Sequence, residues 1–559
     1  MNINEEYNLW LQHTADNQKL HQELVAMQNN KAQIEDAFYC ELAFGTAGLR
    51  GVMGAGTNRM NSYIVARASQ GVANYLKHNQ AQPTVVIGYD SRNNSRKFAE
   101  ITAEVFAANG IKVHIWPELM PVPTVSFATR YVKAAAGIMI TASHNPAKYN
   151  GYKVYGADGC QITTEAANSI LAEINKLDIF KDVKKADFQT ALASQQISYI
   201  DDAVYNAFLK EVKQQSVLFG EEVQKDAAIV YTPLNGTGLR PVTQILAEAG
   251  YTNIKIVPEQ KLPDGNFPTC PYPNPELAEA LKLGIEYART NNADLLLATD
   301  PDCDRVGIAV RDEHGEYQIL TGNQVGVLLL DYICSQRSKH HQLPEAAVMI
   351  KTVVTTAMAE QIAQSYGVRT INVLTGFKYI GEQIGLLEQK GMAGNYIFGF
   401  EESCGYLSGP YVRDKDGVNA AYLICEMYSY YATQGVSILQ KLAELYKKHG
   451  YSINLTCSYE FDGSTGLTKM QQIMNNLRQG VAELAGKKVT SVLDYAGGIN
   501  GLPAENMLQF TLEDKCSVIV RPSGTEPKLK TYIYAIGESK AQAEQIAEDL
   551  IASSKELLK

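Results

Sequence analysis

Residues 137–146 read GIMITASHNP and join a strand to a polar turn. The first four residues form a short apolar run, which is typical of a strand buried on both faces. The polar segment 141–146 follows at once, and ligands in open α/β sheets bind at the carboxyl ends of strands. Ser143 is therefore a candidate nucleophile, and His144 is an adjacent candidate proton donor or base. An Asn-Pro turn with a capping serine explains the same residues without any chemistry.

The alternation of short apolar strands with helical segments continues along most of the chain. Further strands are predicted at 84–88, 111–116, 228–231, 294–299, 348–350 and 395–398. This pattern is typical of open α/β sheets. A polar, amphipathic helical lead-in precedes them, with apolar positions at Leu9, Trp10, Leu20, Leu24 and Met27. The end of the chain has longer alternating segments at 452–461 and 516–520, and a terminal helix from about Lys540.

We predict an α/β protein with three consecutive α/β domains, mixed sheets and a smaller C-terminal α+β domain around a central cleft. The predicted boundaries are residues 1–200, 201–325, 326–448 and 449–559. The first domain carries the helical lead-in and the Ser143 turn.

Composition and charge exclude several kinds of partner. The 559 residues carry a formal net charge of −10, which argues against a broad nucleic-acid or anionic-membrane surface. No apolar run approaches the roughly 20 residues that span a bilayer, and the amino terminus lacks the features of a secretory signal. The nine cysteines are scattered without a CxxC pair, so neither a zinc site nor a disulfide framework is indicated. We expect a cytoplasmic protein without nucleic-acid or membrane partners; the sequence does not indicate its oligomeric state.

Three alternating carboxylates, at Asp300, Asp302 and Asp304, follow the apolar strand 294–299. Alternate residues of an extended segment point the same way, and such carboxylates repel one another unless a cation lies among them. Oxygen ligands of this kind suit magnesium. An EF-hand is excluded, because the sixth position of such a loop would be Arg305 rather than glycine. A solvated acidic turn is the remaining alternative, and the neighbouring arginine favours a phosphoryl site.

Three more loops can bind anions or hydroxyl groups. Residues 45–51 form a glycine-rich segment with Arg50, which by itself is a weak indication of a phosphate site. The loop 521–528 combines an arginine, two hydroxyls and a glycine amide, a set that can surround a phosphate, although a plain turn also explains it. Residues 399–405 place Glu401 and Ser403 where they can bind two neighbouring sugar hydroxyls, or form only a solvated strand end. Residues 480–487 fail as a phosphate-binding Walker loop by spacing, and no GxSxG elbow surrounds the candidate nucleophile.

Taken together, the TASHNP, DPDCDR and GFEESCGY segments resemble the α-D-phosphohexomutase family, the phosphoglucomutase and phosphomannomutase group. The resemblance extends from about residue 44 to residue 530 with the segments in the family's order. It implies four domains, three α/β and one α+β. GFEESCGY is most similar to the branch of bacterial α-phosphoglucomutases and phosphopentomutase-like enzymes. One departure is Cys303, where many relatives have glycine.

The resemblance also implies a role for each matching residue. Ser143 would carry the phosphoryl group and bind Mg²⁺ together with the three aspartates. Four further residues would line the transfer site: Arg50, His144, Lys153 and Arg305. The remaining residues would contact the sugar and its second phosphate: Thr375, Gly376, Lys378, Glu401, Ser403, Lys415, Arg521, Ser523, Gly524 and Thr525.

The implied reaction is transfer of a phosphoryl group between two positions of one sugar phosphate, the small-molecule partner. A phosphoserine would phosphorylate glucose 1-phosphate or glucose 6-phosphate to give glucose 1,6-bisphosphate. This intermediate would reorient in the site, and its other phosphate would then be transferred to the serine. Lys153 could exchange the hydroxyl proton if nearby cations lower its pKa. Mannose and pentose phosphates remain alternative substrates. The alternative enzyme class is a magnesium-dependent sugar phosphatase, and a silent sugar-phosphate binder is disfavoured by the intact serine and aspartates.

Overall fold

The structure is a computed structural model that describes residues 2–46, 48–461, 464–499, 501–522 and 528–558. The chain forms two compact units. The first contains the residues up to Leu320 together with Gly381–Gly394 and Cys404–Ser429. The second contains Thr321–Ile380, Asn395–Ser403 and the residues from Tyr430 onward.

The first unit begins with three short helices, α1 Ile3–His13, α2 Gln18–Met27 and α3 Lys31–Phe38. Trp10, Leu20 and Leu24 of the predicted lead-in are buried in the core of this unit. Leu9 was expected on the same apolar face, but its side chain is 40% exposed. Adjacent residues of a helix point about 100° apart, so Trp10 faces the core and Leu9 does not.

The first sheet has six strands in the order β1-β5-β4-β2-β3-β6. Their bounds are β1 Leu49–Val52, β2 Thr84–Tyr89, β3 Lys112–Ile115, β4 Ala136–Ile140, β5 Tyr149–Gly156 and β6 Ile197–Tyr199. β4, β2, β3 and β6 are parallel, whereas β5 runs antiparallel to both β4 and β1. The helices of this region are α4 Ser62–Asn79, α5 Ser95–Ala108, α6 Val122–Tyr131, α7 Thr164–Ile174, α8 Phe188–Ala193 and α9 Asp202–Lys213.

The second sheet has five strands in the order β11-β10-β9-β7-β8. They are β7 Ile229–Thr232, β8 Ile254–Ile256, β9 Leu295–Thr299, β10 Val306–Arg311 and β11 Tyr317–Leu320, and the helices are α10 Leu239–Glu248, α11 Pro258–Lys261 and α12 Ala278–Thr290. β8, β7 and β9 are parallel, and β10 pairs antiparallel with β9 and β11. The turn between β9 and β10 holds the three aspartates.

The second unit begins with another parallel arrangement, in which β12 pairs with both β13 and β14. The elements in chain order are α13 Gly322–Lys339, β12 Val348–Thr352, α14 Met358–Ser365, β13 Arg369–Val373, α15 Phe377–Gln389, β14 Tyr396–Glu401, β15 Gly405–Leu407, α16 Gly417–Thr433 and α17 Ile438–His449. Of these, β15 belongs to the first unit, and α15 and α16 each contribute residues to both.

The C-terminal sheet has the order β16-β21-β20-β19-β18-β17, and its five strand pairings are all antiparallel. Its elements are β16 Tyr451–Glu460, α18 Ser464–Arg478, β17 Glu483–Leu484, β18 Lys487–Asp494, β19 Leu508–Leu512, β20 Ser517–Pro522, β21 Lys528–Gly537 and α19 Lys540–Leu557. Burial alternates along β19, because one face of an antiparallel sheet packs on the core.

The predicted fold class is confirmed, because three regions with parallel or mixed sheets precede an antiparallel α+β region. The strand predicted at 395–398 continues to Glu401, a polar residue that is buried. All nine cysteines are free thiols. Within the described part of the chain, no helix is both long and apolar enough to cross a membrane. The boundaries of the four domains stay predictions.

Candidate active site

The loop with the candidate nucleophile starts at the end of β4, which is buried along its whole length. Ser143 has a φ of 51°, a left-handed conformation that residues other than glycine adopt rarely. Its amide donates a hydrogen bond to Thr141 Oγ1 at 2.8 Å. A side chain two residues upstream therefore supports the conformation in which the serine is presented.

The structure brings the nucleophile loop of the first sheet to the aspartate loop of the second. Ser143 Oγ donates to Asp300 Oδ2 at 2.8 Å and lies 3.1 Å from His144 Nδ1. Because a hydroxyl has one hydrogen, the serine donates to only one of these partners at a time. Burial lowers the pKa of His144 well below its ordinary value, and the charges of Arg305 and Arg50 lower it further. The imidazole beside the hydroxyl is therefore neutral near pH 7.

The aspartate loop is held in a tight turn by hydrogen bonds from its own backbone amides to the side chain of Asp300. Asp300 Oδ1 accepts the amides of Asp304 and Arg305, each at 3.0 Å. Cys303 has a φ of 53°, which is the left-handed region that favours glycine. Its buried thiol packs near Gly238 and Gly417, where an added Cβ would come within 3.0 Å and 3.2 Å of Sγ. The cysteine side chain is accommodated here because these two glycines leave room for it.

Two buried lysines pair with two of the aspartates, Asp302 and Asp304. Lys153 Nζ donates to Asp302 Oδ2 at 3.0 Å and lies 3.6 Å from Asp304 Oδ2. Lys415 Nζ lies 3.0 Å from the same oxygen of Asp304. Lys153 reaches this position because β5 pairs with β4, with Lys153 opposite Met139. The role of Lys415 as a sugar or phosphate contact stays a prediction, and its ammonium group also pairs with an aspartate of the candidate metal site.

The three aspartates offer oxygens that fit a divalent cation. One oxygen from each of Asp300, Asp302 and Asp304 lies within 4.8 Å of the others. Asp302 Oδ1 and Asp304 Oδ1 are buried and accept no hydrogen bond from any residue that the structure describes. A buried carboxylate oxygen that accepts no hydrogen bond is costly, and a hard cation coordinated by oxygen removes that cost. The donor set is all oxygen and suits Mg²⁺ better than Zn²⁺.

The pKa shifts of the site reflect this crowding of charges. Burial raises the pKa of Asp300 well above its ordinary value, and the charges of Asp302 and Asp304 raise it further. Burial also acts to raise the pKa of Asp304, but Lys415 and Lys153 outweigh it and hold this pKa well below the usual range. Burial acts to lower the pKa of Lys153, yet Asp302 and Asp304 raise it above its usual value. The sequence analysis made proton exchange by Lys153 depend on nearby cations that lower its pKa. In this structure the pKa is raised instead, because two aspartates contact the ammonium group.

Two arginines flank the serine and the aspartates. Arg305 forms an ion pair with Glu276, and its Nε lies 3.8 Å from Asp304 Oδ1. Arg50 is exposed on β1, and its Nη1 donates to Asn145 Oδ1 of the nucleophile loop at 3.2 Å. The predicted residues for phosphoryl transfer thus lie together in the first unit.

The second unit carries the residues predicted to bind the sugar. Glu401 is buried at the end of β14, 6% exposed, and Ser403 is half-buried two residues later. Thr375 precedes Gly376, whose φ of 120° belongs to the region that favours glycine. Lys378 Nζ lies 4.7 Å from the ring centroid of its neighbour Tyr379.

The predicted phosphate loop begins at the end of β20. Arg521 Nε donates to Glu505 Oε1 at 2.8 Å, and its side chain is 24% exposed. Burial acts to lower the pKa of Arg521, but the contact with Glu505 raises it above its usual value, so the charge is retained. The other predicted members of this loop, Ser523, Gly524 and Thr525, lie outside the described residues.

Sequence reasoning missed Glu276, the partner of Arg305, and Arg92, which lies behind the nucleophile loop. Glu276 gave no signal, because a single glutamate after an Asn-Pro pair is common in surface turns. Arg92 did offer one, since it follows β2, whose carboxyl end neighbours that of β4 in the parallel sheet.

Comparison with known proteins agrees with this arrangement. Four family models described as phosphoglucomutase/phosphomannomutase match the chain: α/β/α domain I at residues 41–180, domain II at 206–315, domain III at 321–449 and the C-terminal domain at 469–553. The phosphoglucomutase of Staphylococcus saprophyticus subsp. saprophyticus is 36% identical over 539 residues, covering 94% of this chain and 95% of the relative.

Solved structures share the fold. The Paramecium exocytosis-sensitive phosphoprotein pp63/parafusin, a phosphoglucomutase in its open form, has a TM-score of 0.69 and 18% identity, covering 93% of this chain and 95% of that one. An Aspergillus fumigatus N-acetylphosphoglucosamine mutase, solved with GlcNAc-6P and magnesium, has a TM-score of 0.50 and 14% identity over 93% and 97% of the two chains. The family matches confirm the predicted class of enzyme, a phosphosugar isomerase. This chain belongs to the α-D-phosphohexomutase family, the phosphoglucomutase/phosphomannomutase group.

Proposed function

We propose that this chain interconverts glucose 1-phosphate and glucose 6-phosphate through a phosphoserine at Ser143 and a bisphosphorylated sugar. The observation that carries the proposal is the 2.8 Å hydrogen bond from Ser143 Oγ to Asp300, which joins a nucleophile to a buried acidic triad. Relatives about 35% identical over most of the chain and named phosphoglucomutase support this choice of sugar.

Phosphoryl transfer depends mainly on positioning and on neutralising charge. Asp300, Asp302 and Asp304, together with the phosphoserine, would hold Mg²⁺; when bound, this ion offsets the charge of the phosphoryl group and orients it. Lys153 is protonated, because its pKa is raised, and would serve as a hydrogen-bond donor. Arg305, which Glu276 holds beside Asp304, supplies further donors to the phosphoryl oxygens.

The remaining predicted residues would bind the rest of the substrate. Glu401 and Ser403 would bind sugar hydroxyls, and Arg521 would bind the phosphate that is not being transferred. Glucose 1,6-bisphosphate must stay bound while it changes its orientation in the site, so that either phosphate can face Ser143. The presence of two separate sets of anion-binding groups along the chain supports this part of the proposal.

The first experiment replaces the nucleophile. Ser143→Ala should abolish mutase turnover with glucose 1-phosphate, and intact-mass analysis should find a phosphate on wild-type Ser143 but none on the variant. Ser69→Ala is the matched control, because Ser69 is also fully buried but lies in α4, where its hydroxyl donates to Val65 O at 2.8 Å. Assays with mannose 1-phosphate and ribose 1-phosphate distinguish the alternative sugars. Normal turnover by Ser143→Ala would refute the mechanism.

The second experiment removes the metal. Exhaustive chelation with EDTA should abolish turnover, and Mg²⁺ should restore it. Zn²⁺ should support little activity, because it prefers tetrahedral sites with nitrogen or sulfur ligands. Full activity after chelation would contradict the assignment of the aspartate triad.

The third experiment distinguishes a mutase from a phosphatase through the second phosphate site. A charge-assisted hydrogen bond contributes about 1.5–3 kcal/mol, so Arg521→Ala should weaken substrate binding roughly ten- to a hundred-fold. Added glucose 1,6-bisphosphate should partly rescue the variant. Arg478→Ala is the control, since Arg478 pairs with Asp494 at 2.9 Å in the same C-terminal region. Release of free phosphate by the wild type as fast as isomerisation would favour the phosphatase.

A further inference from the structure

A buried arginine that the proposed chemistry does not use lies behind the nucleophile loop. The side chain of Arg92 has no exposed area, and its guanidinium donates to main-chain carbonyls of the loop. Nε donates to Ser143 O at 3.2 Å, and Nη1 donates to Pro146 O at 3.0 Å and to Tyr149 O at 3.1 Å. Nη2 donates short hydrogen bonds to Ser143 O and Asn145 O.

These contacts use the whole hydrogen-bonding capacity of the side chain. A guanidinium has five N–H donors in a fixed plane, and Arg92 makes five hydrogen bonds to four carbonyl groups between Ser143 and Tyr149. A carbonyl that is held in place fixes the orientation of its peptide plane, because that plane is rigid. Lysine has only three donors on a single nitrogen, so it cannot reproduce this set.

The arginine is itself held from two sides. Asp90 Oδ1 accepts the amide of Arg92 at 2.9 Å and the hydroxyl of Ser95 at 2.7 Å, and Asp90 Oδ2 lies 3.5 Å from Arg92 Nε. This aspartate has no exposed side-chain area either, and it balances the buried positive charge. Arg92 is therefore fixed by contacts at the end of β2, independently of its contacts with the loop.

On its other side, Arg92 meets a segment that follows α11. The ring of Phe267 is 1% exposed, and its centroid lies 5.0 Å from Arg92 Cζ, within the range of a cation–π contact. Gly265 lies against the same turn, because an added Cβ would be 2.3 Å from Asn93 N. Asn93 Nδ2 also donates to Asn266 Oδ1 at 2.9 Å. Residues 265–267 thus pack directly on the turn that presents Arg92.

We propose that Arg92, backed by Phe267, is a positioning residue for the nucleophile. By holding the carbonyls of residues 143–149, it keeps Ser143 in its left-handed conformation with Oγ at Asp300. Arg92 acts through the loop and not on the substrate. This inference rests on the proposed function, since it assumes that Ser143 is the group that is phosphorylated.

The test compares kcat, KM and the melting temperature of full-length Arg92→Ala and Arg92→Lys with wild type. A displacement of about 1 Å at a reacting group can cost about 100-fold in rate, so kcat should fall roughly 100-fold in both variants. KM should change by less than about three-fold, because groups that bind the sugar are untouched. Guanidinium ion at millimolar concentration should partly restore Arg92→Ala by entering the vacated site, and should not restore Arg92→Lys, whose side chain fills it.

A second arginine provides the matched control. Arg67 lies in α4, donates from Nε to Ile174 O at 3.3 Å and pairs with Glu41 at 3.0 Å, with 12% of its side chain exposed. Arg67→Ala should lower the melting temperature but leave kcat unchanged, and guanidinium should not alter its rate. The same salt added to wild type measures the general effect of guanidinium.

Phe267→Ala keeps the proposal testable if Arg92→Ala does not fold. This variant should fold and lose about ten-fold in kcat, because Arg92 keeps its hydrogen bonds but loses the ring that packs on it. The inference is overturned if folded Arg92→Ala retains wild-type kcat, if guanidinium fails to raise its rate, or if folded Phe267→Ala and Arg92→Lys are fully active. A wild-type protein without mutase activity would instead overturn the proposed function.

Discussion

Replacing Lys415 with methionine removes one charge from the buried cluster around the aspartates. Methionine has nearly the length of lysine and remains compatible with apolar neighbours. Lys415 Nζ lies 3.0 Å from Asp304 Oδ2 and 3.4 Å from Asp414 Oδ1. After the substitution, the ion pair that remains for this oxygen of Asp304 is the longer one with Lys153, at 3.6 Å.

The size of the effect follows from the burial of this pair. The side chains of Lys415 and Asp304 are 10% and 1% exposed, so solvent screens their interaction little. Removing one partner of a buried pair costs about 3–5 kcal/mol. For the first unit, 1 kcal/mol corresponds to about 1.3 °C, and the melting temperature should fall by about 4–7 °C in EDTA.

Magnesium should offset part of this loss. A ligand present at 100 times its Kd stabilises the folded state by about 2.7 kcal/mol, and an aspartate that has lost its ammonium partner should bind a cation more tightly. The melting temperature of Lys415→Met should therefore rise more on addition of Mg²⁺ than that of wild type.

The assay is thermal unfolding in EDTA and over a series of Mg²⁺ concentrations. Lys441→Met is the matched control, since Lys441 Nζ lies 3.0 Å from the buried Asp331 and belongs to the second unit. This control should lose stability without any gain in its response to magnesium. Equal magnesium responses in Lys415→Met and wild type would refute the reasoning.

Two further predictions concern Asp416 and Gly417, the two residues that follow Lys415 in the chain. Gly417→Ala should weaken Mg²⁺ binding and lower turnover at least ten-fold, because its Cβ would lie 2.6 Å from Cys303 O in the aspartate loop. Gly394→Ala is the control and should be neutral, because its added Cβ meets open space. A fully active Gly417→Ala would contradict this role of the glycine. Burial raises the pKa of Asp416 to about 6, so the folded protein keeps a proton near pH 5 that the unfolded chain has lost, and raising the pH from 4 to 6.5 destabilises it. Asp416→Asn should lack about 2 kcal/mol of this loss, measured as a smaller fall in melting temperature. Parallel pH curves for the variant and the wild type would show that Asp416 ionises normally.

Sequence patterns predicted the elements that carry the site. The apolar run before Ser143 is strand β4, and the run before Asp300 is β9, both buried throughout. These predictions succeed because strand burial and turn chemistry depend on neighbouring residues. The alternation of the three aspartates likewise predicted a cluster, and their ligand oxygens lie within 4.8 Å of one another.

The partners of those residues could not be predicted in the same way. The contact of Lys415 with Asp304 was not foreseen, and its expected role at the substrate stays a prediction. Arg92 offered only its position after β2 as a sign that it lies near the Ser143 loop. Leu9 was expected in the core and is exposed, because periodicity alone does not say which of two adjacent apolar residues faces inward.

Local sequence therefore determined which segments form buried strands, where the polar turns follow them and which side chains can bind phosphate or metal. Only the tertiary structure decided which charges meet. Ser143 and Asp300 are 157 residues apart and share a hydrogen bond, and Lys153 reaches Asp302 across 149 residues. The physical reason is that a buried charge must be paired, and the pairing depends on how separate sheets pack, which no local pattern records.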